Sequence, residues 1–169
     1  MIFETHAHYD DEAFDPDRDA LLRSMHENGI ETIVNVGASL RGVEDTVKLM
    51  KQYPFVYGAI GVHPDEVGTL DEEKMELLCK YCRLPKTVAV GEIGLDYYWD
   101  KENHETQKKW FVRQMDLAKE TELPIIVHSR DAAKDTLDIM KAERADCLKG
   151  VIHCYSYSKE HAREYMNMG

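Results

Sequence analysis

Two histidines separated by one residue stand near the start of the chain, in Phe3-Glu4-Thr5-His6-Ala7-His8. In extended backbone, residues i and i+2 point to the same side, so both imidazoles can reach one ion. Neutral imidazole suits zinc, iron, nickel or copper, and carboxylate suits magnesium and manganese. Glu92 sits inside an apolar run, Val90-Gly91-Glu92-Ile93-Gly94. A carboxylate there is costly to bury unless it is paired or binds a cation. Its two oxygens can bridge two ions, and paired ions about 3.5–4 Å apart are a common clamp for phosphate-ester hydrolysis. His128 closes Pro124-Ile125-Ile126-Val127-His128, and His153 closes Val151-Ile152-His153. With Glu92 they make a second candidate metal site. Arg130 is placed to take a phosphate oxygen, and His63, after Gly61-Val62, could bind metal or contact substrate phosphate; substrate contact is favoured because both metal sites already have donors. Tyr97, Tyr98 and Trp99 either stack on a base or cap the fold. Each residue also has a plainer reading: a salt bridge for Glu92, a helix-start ion pair for Arg130, core packing for His128 and His153.

These residues converge only if the elements carrying them do. The sequence alternates short β-rich runs with longer amphipathic ones. Strands are expected at Met1–Thr5, Glu31–Gly37, Phe55–Val62, Thr87–Ile93, Pro124–His128 and Gly150–Cys154. Helices are expected at Phe14–Asn28 (capped by Asp15), Leu40–Tyr53, Asp71–Arg83, Asn103–Glu122, Asp131–Glu143 and Ser158–Met168. Six βα units in a row, without a linker, imply one domain over residues 1–169 with a parallel sheet and helices outside it. The candidate residues then sit at or near strand C-termini, which open onto one face of a barrel. At about 28 residues per unit, eight units need about 225 residues. The expected fold is therefore an α/β, TIM-type (β/α) barrel with six units present and the last two missing. A barrel left so has an exposed sheet edge, available for pairing with a partner.

Lys plus Arg number 21 and Asp plus Glu 32, giving a formal charge of −11. That field repels nucleic acid at long range, so a phosphate substrate needs local positive charge from basic side chains or metal. Met1 to His6 has neither the basic nor the apolar region of a signal peptide, and no run is long enough to span a membrane. Reduced cysteines and a cytoplasmic location are the expectation. Cys79-Lys80-Tyr81-Cys82 falls in a helix without a second pair and reads as packing; His26, His104 and His161 read as surface or filler. GxxxxGK[ST], GxGxxG and GxSxG are absent, which weakens kinase, dinucleotide-binding and serine-hydrolase readings.

In five motifs the sequence resembles the TatD family of metal-dependent deoxyribonucleases, among the amidohydrolase-like barrels. They are Phe3-Glu4-Thr5-His6-Ala7-His8-Tyr9-Asp10, Gly61-Val62-His63-Pro64, Gly91-Glu92-Ile93-Gly94-Leu95-Asp96-Tyr97, Pro124-Ile125-Ile126-Val127-His128-Ser129-Arg130 and His153-Cys154-Tyr155-Ser156. The resemblance implies two divalent ions (magnesium, manganese, zinc or similar). It implies that His6 and His8 hold the first, that His128 and His153 hold the second, and that Glu92 bridges them. It implies hydrolysis of DNA phosphodiesters, often from the 3′ end, in the cytoplasm. The expected substrate is DNA, as a single strand or a 3′ end, and the expected catalytic set is Glu92 with Arg130 and His63, the last two on the reading of the residues themselves. Two departures stand out. Glu4 replaces an aspartate usual in the family, and the sequence ends before the strand that carries the family's further metal-binding aspartate. Two alternatives therefore stay open: an amidohydrolase-type enzyme of small substrates, and a catalytically impaired fragment.

Overall fold

The computed structural model describes residues 2–169. Six parallel strands run in sequence order across one sheet: β1 (Ile2–Ala7), β2 (Ile30–Val36), β3 (Val56–Ala59), β4 (Thr87–Asp96), β5 (Ile125–Arg130) and β6 (Gly150–Ile152). Each is followed by a helix: α1 (Arg18–Glu27), α2 (Leu40–Gln52), α3 (Glu72–Cys82), α4 (His104–Thr121), α5 (Ala133–Ala142) and α6 (Lys159–Met168). This is the expected α/β architecture, an open, curled barrel of six βα units. The curl shows at the two sheet edges. His6 on β1 and His153 just after β6 stack with ring centroids 3.5 Å apart, although their strands lie at opposite ends of the strand order.

Local sequence explains the elements. Ile33, Val34 and Val36 on β2 and Ile125, Ile126 and Val127 on β5 are all buried, as strands covered on both faces require. Ser39, Asp71 and Ser158 cap α2, α3 and α6, their side chains accepting N–H from Gly42, Lys74 and His161. Helix α4 is the longest, and it buries Trp110, Phe111, Met115 and Leu117 against the sheet. Met1 lies outside the described residues.

Several boundaries differ from expectation, three of them near the site. Helix α1 begins at Arg18, not Phe14, and Asp15 does not cap it. The Arg18 guanidinium instead donates to the carbonyls of Tyr9 and Asp11 and pairs with Asp15. That collects the preceding chain into a loop containing a 3-10 turn at Glu12–Phe14. Strand β3 is shorter than expected and stops at Ala59. Strand β4 is longer, reaching Asp96, because its end pairs with β5: Ile93 with Val127, Gly94 with His128 and Asp96 with Arg130. Glu92 and His128 therefore sit within strands rather than at their tips, Glu92 where the β4–β5 register shifts between Val90 and Ile93.

The β4–β5 pairing is close enough to demand glycine at one position. Gly94 has φ of +140°, and a Cβ there would meet the His128 carbonyl oxygen at 1.9 Å. The sheet edges carry exposed apolar residues, Ile2 and Phe3 on β1 and Val151 on β6. An apolar cavity of about 270 Å³ lies under α6, lined by Val127, Met140, Leu148, Ile152, Tyr165 and Met168.

Gly94→Ala forces both a strained backbone and a backbone clash. The expected cost is at least the ~1–3 kcal/mol of core overpacking, seen as a fall in the thermal unfolding midpoint. An unchanged midpoint would show that β4 and β5 are not held this tightly.

Candidate metal centre

The site is built around Glu92. Its carboxylate is 4% exposed. Among the described residues, its ion-pair partners are imidazoles, with no lysine or arginine beside it. The two oxygens face different ways. Oε2 lies 3.3 Å from His6 Nε2 and 3.8 Å from His8 Nε2. Oε1 lies 3.1 Å from His128 Nδ1. The salt-bridge reading of Glu92 is thus set aside in favour of a histidine cluster. Burial opposes its ionisation, but the neighbouring His128 and His6 rings prevail and hold the carboxyl far below the usual range.

The tautomers follow from the partners. His8 Nδ1 lies 2.8 Å from the Val36 carbonyl oxygen. A carbonyl only accepts, so that nitrogen carries the proton and the Nε2 lone pair faces Glu92. His6 Nε2 lies 3.1 Å from His8 Nε2. Three donor atoms thus converge, and one shared proton cannot satisfy them all; a cation can. This donor set, His6, His8 and Glu92, suits a divalent ion. Glu4 Oε1 accepts the His6 backbone N–H at 3.1 Å and steadies the ligand strand.

On the other side, His63, Glu92 and His128 also place one ligand atom each close enough for a single ion. His63 has a second tie. Its Nδ1 accepts the Asp65 backbone N–H at 3.3 Å, capping the 3-10 turn Pro64–Thr69. Its remaining proton then lies on Nε2, which makes the ring a donor into the cleft. Burial, and the neighbouring His128, push its pKa down to about 4, so it stays neutral. The His153 ring lies flat against His6, and His153 and His128 line the same cleft. Arg130 ends β5 and faces aromatic rings. Its guanidinium lies 4.1 Å from the Tyr98 ring centroid and 5.8 Å from that of Trp99, and no carboxylate pairs with it among the described residues. Tyr98 and Trp99 are exposed. Tyr97 is not part of that surface: its hydroxyl donates to Asp135 and its ring stacks on His104. Cys82 packs in the core, as the helical CxxC suggested.

Sequence reasoning passed over three residues that hold the site in place. Asp96 is 1% exposed, and its Oδ2 lies 2.9 Å from His128 Nε2. Burial opposes ionisation of Asp96, but N–H donors from Trp99 and Tyr98 and the His128 ring hold its carboxyl below the usual range. Gln107 and Gln114 on α4 are fully buried. Gln114 grips Val62, next to His63, through both its N–H and its C=O, at 2.8 and 3.0 Å. Gln107 grips Asp96 in the same way, each bond at 2.9 Å. Polar residues seven apart on the buried face of a helix were the signal available in the sequence. The site opens into a cleft of about 690 Å³ that also presents Asp10, Asp45, Asp65 and Glu66.

Residues 3–169 match the family described as TatD related DNase. The chain belongs to this family. A relative from Bacillus subtilis, an uncharacterized metal-dependent hydrolase YabD, is 40% identical over 99% of this chain and 66% of its own length. The 3′-5′ ssDNA/RNA exonuclease TatD of a Rahnella strain is 27% identical over 99% of this chain and 64% of its own length. The crystal structure of the TatD homologue YjjV from Escherichia coli superposes with a TM-score of 0.89 at 29% identity. The match covers 99% of this chain and 65% of that one. This TatD family chain spans about two thirds or less of the length of these relatives.

Proposed function

We propose that this chain hydrolyses phosphodiester bonds of single-stranded DNA from a 3′ end, with two divalent ions sharing Glu92. The observation that carries this reading is the division of one buried carboxylate, with Oε2 toward His6 and His8 and Oε1 toward His128. In this reading His6, His8 and Glu92 would hold the first ion. Glu92 and His128 hold the second, with His153, as the family resemblance implies. When bound, such ions add about +4 of local charge and bring the pKa of water toward about 7.

The chain's own residues do the rest. His8 presents Nε2 because its other nitrogen is committed to Val36. Neutral His63 offers an N–H to a non-bridging phosphate oxygen, where a donor fixed in advance favours the more charged transition state. Arg130, Tyr98 and Trp99 form an exposed cation–aromatic surface one strand-end away from His128. Stacking of a base on such a surface is worth about 1–3 kcal/mol. This surface favours a nucleic acid over a small ester. A cleft edged by Asp10, Asp45, Asp65 and Glu66 repels phosphate by itself, so substrate approach also depends on the ions. Relatives named as ssDNA/RNA exonucleases support the same substrate class.

An end-labelled single-stranded oligonucleotide incubated with the 169-residue chain and manganese should shorten stepwise from its 3′ end, and excess chelator should stop it. Cleavage that survives chelation overturns the metal-dependent reading; no cleavage by the metal-loaded chain overturns the nuclease reading. Glu92→Gln should weaken manganese uptake at both clusters at least tenfold by titration calorimetry, with the circular dichroism spectrum kept. An isotherm like that of the wild type rejects the shared carboxylate. Trp99→Ala should raise KM for the oligonucleotide about fivefold or more while leaving a small chromogenic phosphodiester unaffected; equal losses on both substrates remove the stacking role.

A further inference from the structure

We propose that Asp96 is a positioning residue that holds the proton of His128 on Nε2, so that Nδ1 faces Glu92 as an open donor. The proposal rests on the metal reading only for what Nδ1 would bind; the placement of the proton is a separate matter.

Asp96 is fixed from every side. Its backbone N–H and C=O are both taken by the Gln107 side chain. Its Oδ1 accepts the backbone N–H groups of Tyr98 and Trp99, each at 2.9 Å. Its Oδ2 is left for His128 Nε2, at 2.9 Å. An ionised carboxylate only accepts, so this contact requires the proton on the imidazole nitrogen. In a neutral ring the lone pair is then on Nδ1, the atom 3.1 Å from Glu92 Oε1.

Such an anchor is needed because Glu92 competes with it. Glu92 is itself a carboxylate at hydrogen-bond distance from Nδ1, and alone it would draw the proton to that side. A ring protonated on Nδ1 offers no lone pair toward the cluster. Asp96 offsets this pull from the opposite edge of the ring, and a carboxylate behind a ligating histidine is a recurrent way of fixing its orientation. The same carboxylate ties the Tyr98–Trp99 backbone to His128, so the exposed aromatic surface and the buried cluster share one fixed point.

Asp96→Asn gives the sharpest test. The new side chain has one acceptor oxygen, which the Tyr98 and Trp99 N–H groups already claim. Its NH2 must then face His128 Nε2, which moves the ring proton to Nδ1. The readout is long-range proton–nitrogen NMR of histidine-labelled, metal-free protein, at a pH high enough for His128 to be neutral. The wild type should show the proton on Nε2 and Asp96→Asn the proton on Nδ1. Manganese or cadmium affinity should fall about 10–100-fold in the variant, and Asp96→Glu should recover part of it. A wild-type ring protonated on Nδ1 overturns the proposal whether or not any variant folds. So does a folded Asp96→Asn protein with the wild-type tautomer or affinity. A wild-type chain that takes up no metal while showing the Nε2 proton would refute the metal reading and leave the role of Asp96 intact.

Discussion

A buried carboxylate surrounded by imidazoles is the constraint on which the rest of the molecule turns. Glu92 is almost wholly removed from water and, among the described residues, has no lysine or arginine paired with it to offset its charge. An isolated carboxylate in such a place would take up a proton to escape the cost of desolvation. Here histidines from β1 and β5 crowd it instead, and the His128 and His6 rings keep it ionised. Imidazoles can give up protons and keep lone pairs, which a guanidinium cannot. The arrangement therefore stores negative charge in a form that cations can take over.

Bringing those imidazoles together is the work of the sheet. Parallel strands put equivalent ends on one face, and curling carries the two edge strands toward each other until His6 and His153 touch. The close β4–β5 approach at Gly94 sets Glu92 and His128 on neighbouring strands at hydrogen-bond distance. The outer ring of helices covers the sheet. Helix α4 meets it with polar groups at Gln107 and Gln114, as α2 does at Thr46 and α5 at Thr136.

Much of this was legible in the sequence. The alternating pattern reveals the six βα units and their order, because strand and helix periodicities are strongly written in a parallel sheet. The spacing of His6 and His8, and the isolation of Glu92 in an apolar run, point to their convergence. What was not legible depended on distance between strands. Asp96 reads as loop because the β signal fades after Ile93, and only pairing with β5 extends the strand to it. Gln107 and Gln114 look like ordinary helix residues until burial shows which face they occupy. Asp15 has the right type for a cap, but Arg18 draws its carboxylate elsewhere. His63 and His153 could be placed at the mouth from sequence, yet which neighbour each would meet is decided by sheet curvature, and no spacing encodes that.

The two glutamines of α4 have a mechanical consequence. Seven residues separate them, about two turns or ~10.5 Å along the axis. One grips the backbone beside His63 and the other the backbone of Asp96. A rigid rod that clasps two strand tips makes them travel together. Any slide or tilt of that rod shifts His63 and the anchor of His128 in concert, so a load applied at one rim of the cleft registers at the other.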